Sequence, residues 1–141
     1  MATLNPYLTL NGNCEEAFNF YKSVFGGEFR QFSRFSDMPP MPGFPDSAKN
    51  KILHVALPIS NETILMGSDA NPMMGTPAIG QHMSLSIGAQ SKEEADKIFN
   101  GLAAGGKITM PIANTFWNAY FGMLEDKFGF TWMVNYDLPK N

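Results

Sequence analysis

The order of elements in this chain runs through twice, and no other feature constrains its fold as tightly. Leu8-Thr9-Leu10 matches Leu85-Ser86-Ile87 at an offset of 77 residues, Glu15-Glu16-Ala17 matches Glu93-Glu94-Ala95 at 78, and Gly26-Gly27 matches Gly105-Gly106 at 79. The closing segments align as well, residues 64–69 with 132–137 at an offset of 68, the change reflecting a long proline-rich loop in the first half. Four features kept in one order read as an internal repeat. Each half is too small to bury an apolar sheet face by itself. The expectation is an α+β fold of two βαβββ repeats, giving a curved mixed sheet with the helices outside and a concave cavity.

Local signals fill in that order. Residues 4–10 (LNPYLTL) alternate and stop at Asn11-Gly12-Asn13, a strand followed by a turn. Residues 14–25 set Ala17, Phe18, Tyr21, Val24 and Phe25 at helical spacing, with Asn13 as N-cap, Glu15 and Glu16 in the first turn and Gly26-Gly27 as the stop. Residues 28–35 read as a strand, 36–48 as a loop with four prolines, and 51–59 and 62–68 as a hairpin. Residues 70–79 form a linker between halves at about 1–69 and 80–141 of a single domain. A strand over 82–87 then leads to a helix over 91–104, with Ser91 as N-cap and Glu94 completing a capping box. Strands at about 107–112, 119–125 and 130–136 complete the second half.

Composition excludes several partners. The formal charge of the 141 residues is -3 and the ten Lys and Arg are scattered, so neither nucleic acid nor an anionic membrane is expected to bind. No stretch approaches 18 apolar residues, and MATLNPYLTL has neither the basic start nor the long apolar run of a signal peptide. Cys14 is the only cysteine, which suits a reducing, cytoplasmic compartment. It opens a helix, where thiol pKa values fall, but no base to pair with it can be read from the sequence, so packing is its expected role.

The opening NPYLTLNGNCEEAFNFYKSVFGG, the strand ILMGSD and the closing TFWNAYFGMLEDKFGFTWMV resemble the glyoxalase/bleomycin-resistance, or vicinal oxygen chelate, superfamily, and within it the PhnB-like branch. The resemblance covers nearly the whole chain. It implies a homodimer and, in the enzymes of the superfamily, a divalent metal held by ligands on the first and last strands of each half. Carried over by motif, the ligand positions are Asn5, Leu65, His82 and Met133. Only His82 is a credible ligand: a hydrocarbon cannot bind a metal, a thioether is too soft and an amide is weak. The expectation is therefore no metal and no cofactor. Some members of the branch are labelled as ubiquinone-pathway methyltransferases, yet no GxGxxG-like turn follows a strand here to hold a methyl-donor cofactor.

Other candidates for chemistry are few. His54 lies in KILHVALPI, Asp126 precedes Phe128-Gly129 where a turn acid is expected, and Glu125 would act only if it pointed inward. No Ser/His/Asp order, CxxC or HExxH is present. Twelve Phe, ten Met, four Tyr and two Trp are more informative, and Trp117, Tyr120, Phe121, Phe128, Phe130 and Trp132 crowd the C-terminal strands. Alternate residues of a strand share a face. A cup lined by Asn5, Tyr7, His54, Leu65, His82, Trp117, Tyr120 and Met133 would suit a small apolar or aromatic ligand. Three functions remain open: a metal-free binding protein, a metal-dependent lyase, isomerase or dioxygenase, and a structural module whose pocket is filled.

Overall fold

The computed structural model of the chain describes residues 2–77, 80 and 83–140. The chain divides into two compact units, Met1–Ala78 and Ile79–Asn141, and the division falls inside the stretch expected to link the halves. The first unit contains β1 (Tyr7–Leu10), α1 (Cys14–Phe25), β2 (Gln31–Arg34), β3 (Ile52–Pro58) and β4 (Ile64–Asp69). The second contains β5 (Leu85–Gly88), α2 (Lys92–Ala103), β6 (Lys107–Asn114), β7 (Ala119–Glu125) and β8 (Thr131–Asp137). The βαβββ order is thus present twice. In hydrogen-bonding terms the expected curved mixed sheet is two four-stranded sheets, one per unit, ordered β1-β4-β3-β2 and β5-β8-β7-β6. In each, the first strand runs parallel to the last and the remaining pairs are antiparallel.

Element ends differ from the sequence expectation for local reasons. Pro6 has no N–H to give a ladder, so β1 starts at Tyr7 instead of residue 4. Asn5 contributes through its side chain, whose Oδ1 accepts from the Ile64 amide at 2.9 Å. β2 is shorter than expected because residues 35–37 wind into a 3₁₀ turn. β6 runs on to Asn114, with register shifts on either side of Met110 and so around Pro111. An edge strand tolerates the missing proline donor, and β6 is an edge.

The helix caps divide in an instructive way. Ser91 caps α2 as expected: its Oγ accepts from the Glu94 amide at 3.0 Å, while Glu94 Oε1 accepts from the Gln90 amide. Asn13 does not cap α1 with its side chain. That role passes to Asp69 at the end of β4. Its Oδ1 accepts from the amides of Gly12 (2.9 Å) and Cys14 (3.0 Å), and its Oδ2 from Ile52 (2.8 Å). Asp69 is buried, so one carboxylate joins the turn after β1, the start of α1 and the start of β3.

Each helix covers one face of its own sheet. Ala17, Phe18 and Tyr21 of α1 pack with Leu8, Leu10, Val55, Leu57 and Leu65, all buried. Ala95, Ile98, Phe99 and Leu102 of α2 pack with Leu124, Trp132 and Val134. Both interfaces need a glycine in the sheet. A Cβ at Gly67 would lie 2.6 Å from the Phe18 ring and 2.7 Å from the Leu8 carbonyl; one at Gly122 would lie 2.7 Å from the Phe99 ring. Gly67→Ala is therefore expected to destabilise the protein by about 1–3 kcal/mol, the usual cost of overpacking. Urea denaturation checks this, and an unchanged midpoint would contradict the close packing of Phe18.

Candidate functional site

Period-2 alternation leaves the second face of each sheet without a helix. On the first sheet, Leu8, Gly67, Val55 and Leu65 turn toward α1, so the open face carries Tyr7 of β1, Met66 of β4 and His54 and Ala56 of β3. Asn5 lies ahead of β1, its Oδ1 taken by the Ile64 amide, and Tyr7 and His54 share the open face. Leu65 does not. It is fully buried on the α1 side, while Met66 and Ser68 turn to the open face, Ser68 as the counterpart of Met133. The cause is register. The ladders set Leu8 opposite Gly67 and Leu85 opposite Trp132, which makes Gly67 the counterpart of Trp132 at an offset of 65. The sequence offset of 68 differs by an odd number of residues, and an odd slip exchanges the two faces.

On the second sheet, Met133, Phe121 and Met123 lie on the open face, since their neighbours Trp132, Gly122 and Leu124 are buried toward α2. Trp117, in the turn before β7, is 49% exposed and meets the Phe121 ring edge-on at 5.8 Å. Tyr120 does not join them. Its hydroxyl donates to Asp96 Oδ1 of α2 at 2.5 Å and Lys92 Nζ sits 4.9 Å over its ring, so it serves the helix face. The Asp96 carboxylate also raises the phenol's pKa. His82 lies outside the described residues.

The polar geometry of the first open face centres on one pair. Tyr7 is 47% exposed; its hydroxyl is 3.4 Å from His54 Nδ1, and the two rings stack with centroids 5.7 Å apart at 27°. Ser33 is opposite His54 across the β2–β3 ladder, and Met66 is opposite both Tyr7 and Ala56. The face therefore mixes a half-exposed aromatic surface with two titratable tips.

One concavity was not foreseen from the sequence. A cavity of about 360 Å³ at the N-terminus of α1 is lined by Gly12, Glu15, Arg34, Asn50, Lys51 and Asp69, among others. Its charged groups are largely committed to one another. Arg34 holds both Glu15 oxygens (2.9 and 2.8 Å) and the Asn50 carbonyl, and Lys51 Nζ donates to the Gly12 carbonyl at 2.8 Å. The Arg34 guanidinium lowers the Glu15 pKa, and Glu15 raises that of Arg34. These contacts tie α1 to the start of β3. In the other unit Asp126 is equally buried and organises the turn before β8, as the sequence suggested. Its oxygens accept from the Phe128 and Phe130 amides and from Trp132 Nε1.

The described ligand positions do not fit a hard divalent metal. Asn5 Oδ1 is held by the Ile64 amide, Leu65 faces the core with Ser68 as the open-face counterpart of Met133, and Met133 offers only a thioether. Among the described residues no three His, Cys, Asp or Glu side chains come together as a metal site. Glu125 stands opposite Lys107 and Thr131 across its ladders.

Residues 2–135 match a family described as 3-demethylubiquinone-9 3-methyltransferase. The chain belongs to this PhnB-like family. A crystal structure of protein PA1353 from Pseudomonas aeruginosa is 40% identical, with 99% of this chain and 100% of that one covered and a TM-score of 0.86. The Bacillus cereus PhnB protein, itself described as a putative 3-demethylubiquinone-9 3-methyltransferase, is 27% identical over 96% and 99% of the chains, with a TM-score of 0.73. A glyoxalase/bleomycin resistance protein/dioxygenase family enzyme from Burkholderia phytofirmans PsJN shares the fold at 20% identity, with 97% and 100% covered and a TM-score of 0.63. The PhnB-like chain is thus built on the glyoxalase/bleomycin-resistance fold. Among the described residues no helix is long and apolar enough to cross a membrane.

Cys14 is not an activated thiol. It is fully buried, and burial, followed by the nearby Asp69 and Glu15 carboxylates, pushes its pKa far up. The folded chain therefore keeps its proton where the unfolded chain, with an ordinary thiol pKa of about 8.5, releases it. Stability is expected to fall as pH rises above that value. Iodoacetamide at pH 8 is expected to label Cys14 only as fast as the protein opens; mass spectrometry showing rapid labelling without denaturant would contradict the assignment.

Proposed function

We propose that this chain is a metal-free binding protein for a small planar, apolar or aromatic molecule, taken up on the sheet faces that the helices leave open. One observation carries the reading: the half-exposed Tyr7 ring, stacked on His54, stands beside Met66 and Ala56 on a face with no helix over it. Aromatic rings and thioethers give broad apolar contact to flat ligands. Trp117, Phe121 and Met133 supply similar groups on the other sheet. The donor set at the superfamily's ligand positions supports the metal-free form of this reading, because a Lewis-acid mechanism needs hard donors.

The methyltransferase description has little support in the strand-to-helix turns. Methyl transfer needs a bound donor, commonly on a glycine-rich turn leading into a helix, whereas β1 leads into α1 through Asn11-Gly12-Asn13. Large exposed apolar residues, Leu4, Met83 and Phe116 among them, support self-association as a homodimer. Light scattering is expected to give a mass twice that of one chain.

Binding is tested with 2-acetylnaphthalene and 2-isopropenylnaphthalene, followed by thermal shift and by quenching of tryptophan fluorescence, with Zn²⁺, Ni²⁺, Mn²⁺ and Fe²⁺ run in parallel. A ligand at a hundred to a thousand times its dissociation constant adds roughly 3–4 kcal/mol of stability. Saturable naphthalene binding without a metal response is the expected result. A stoichiometric metal response would replace this reading with the metalloenzyme, and no response to either would leave the structural module.

A further inference from the structure

We infer that the Tyr7–His54 pair is a hydrogen-bond donor site, and that the molecule bound on this face is a planar aromatic carrying an acceptor oxygen, such as a ring ketone. The inference rests on the binding reading above and deepens it.

The argument counts protons. A phenol has one polar proton and a neutral imidazole has one. The Tyr7 hydroxyl and His54 Nδ1 are 3.4 Å apart, so one of the two protons lies between them. If Tyr7 donates, the imidazole proton is on Nε2; if Nδ1 donates, the phenol proton points away from the histidine. In either tautomer one donor is left over. Among the described residues neither side chain has another hydrogen-bond partner, since the Ser33 hydroxyl reaches only the backbone carbonyl of His54. Both side chains are partly exposed, Tyr7 at 47%, which leaves room for an acceptor to meet that donor.

The surroundings select the rest of the ligand. Met66 and Ala56 lie in the same row as Tyr7 along the ladders and lack side-chain donors, and Ser33, opposite His54, turns its hydroxyl to the His54 carbonyl. The two rings stack with centroids 5.7 Å apart at 27°, so donor and apolar ring surface lie side by side. A flat hydrocarbon ring set on this surface would strip water from the leftover donor without replacing its bond, which is unfavourable. A ring bearing a carbonyl oxygen replaces that bond. The site therefore discriminates by an acceptor and not by apolar area alone.

The test compares 2-acetylnaphthalene with 2-isopropenylnaphthalene, which differ by a carbonyl oxygen in place of a methylene. Binding of each is measured by fluorescence for the full chain and for Tyr7→Phe/His54→Phe, which keeps both rings and removes both donors. The ratio of the two affinities is expected to shift toward the hydrocarbon by about tenfold in the double variant. The single variants Tyr7→Phe and His54→Phe each keep one donor but lose the partner that orients it, and are expected to show part of the shift. They provide the comparison if circular dichroism shows the double variant unfolded. An unchanged ratio, with both probes binding, overturns the donor site and leaves the binding reading standing. Failure of both probes to bind the unaltered chain overturns the binding reading and this inference with it.

Discussion

A four-stranded sheet has two faces, and each half of this chain supplies one helix to cover them. The rest of the structure follows from that shortage. One face of each sheet becomes core, with Phe18 and Tyr21 over the first and Phe99 and Leu102 over the second. The other keeps apolar and aromatic side chains that no helix hides. Because strand side chains alternate, the choice is made residue by residue: Leu65 is core and Met66 is open, Trp132 is core and Met133 is open. The helices press closely enough to require glycine beneath an aromatic ring in both units.

Buried carboxylates fix the connections. Asp69 and Asp126 are the buried charged residues of the described core, and each is surrounded by N–H groups that the chain presents at a turn. Hydrogen bonds to a buried carboxylate are among the stronger ones, and removing it strands every donor it served. Asp69 acts across 55 residues of sequence to hold the first amide of α1, a job that local grammar assigned to Asn13. The neighbouring Arg34–Glu15 and Lys51–Gly12 contacts extend the same junction. That cluster explains why a sizeable concavity at the start of α1 is lined by charge without standing apart as a separate reactive centre.

Much of the architecture is legible in the chain, and the reasons are local. Helical spacing, a capping box at Ser91 and paired glycines mark both helices to within a residue. Repetition of the order then marks the fold, and the family model and solved relatives agree with it. Tyr7, His54 and Met133, which the resemblance and strand alternation assigned to a cup, lie on the open sheet faces. Leu65 and Tyr120 were misplaced for two reasons. For Leu65, matching strands by sequence similarity left the register three residues off, and an odd error inverts the face. Tyr120 lies on a strand whose helix-facing side was decided by Asp96 and Lys92, side chains on another element.

The sequence by itself determined what short-range chemistry controls: the two helices, most strands, the proline-rich loops and the repeat. Only the tertiary structure decided what depends on groups far apart in the chain. It chose which face of each sheet is covered, because that requires the ladders that set Leu8 against Gly67 and Leu85 against Trp132. It replaced a local cap by Asp69, because a buried carboxylate can satisfy three amides at once. It also brought Tyr7 to His54 across 47 residues, because β1 and β3 flank the same strand, β4.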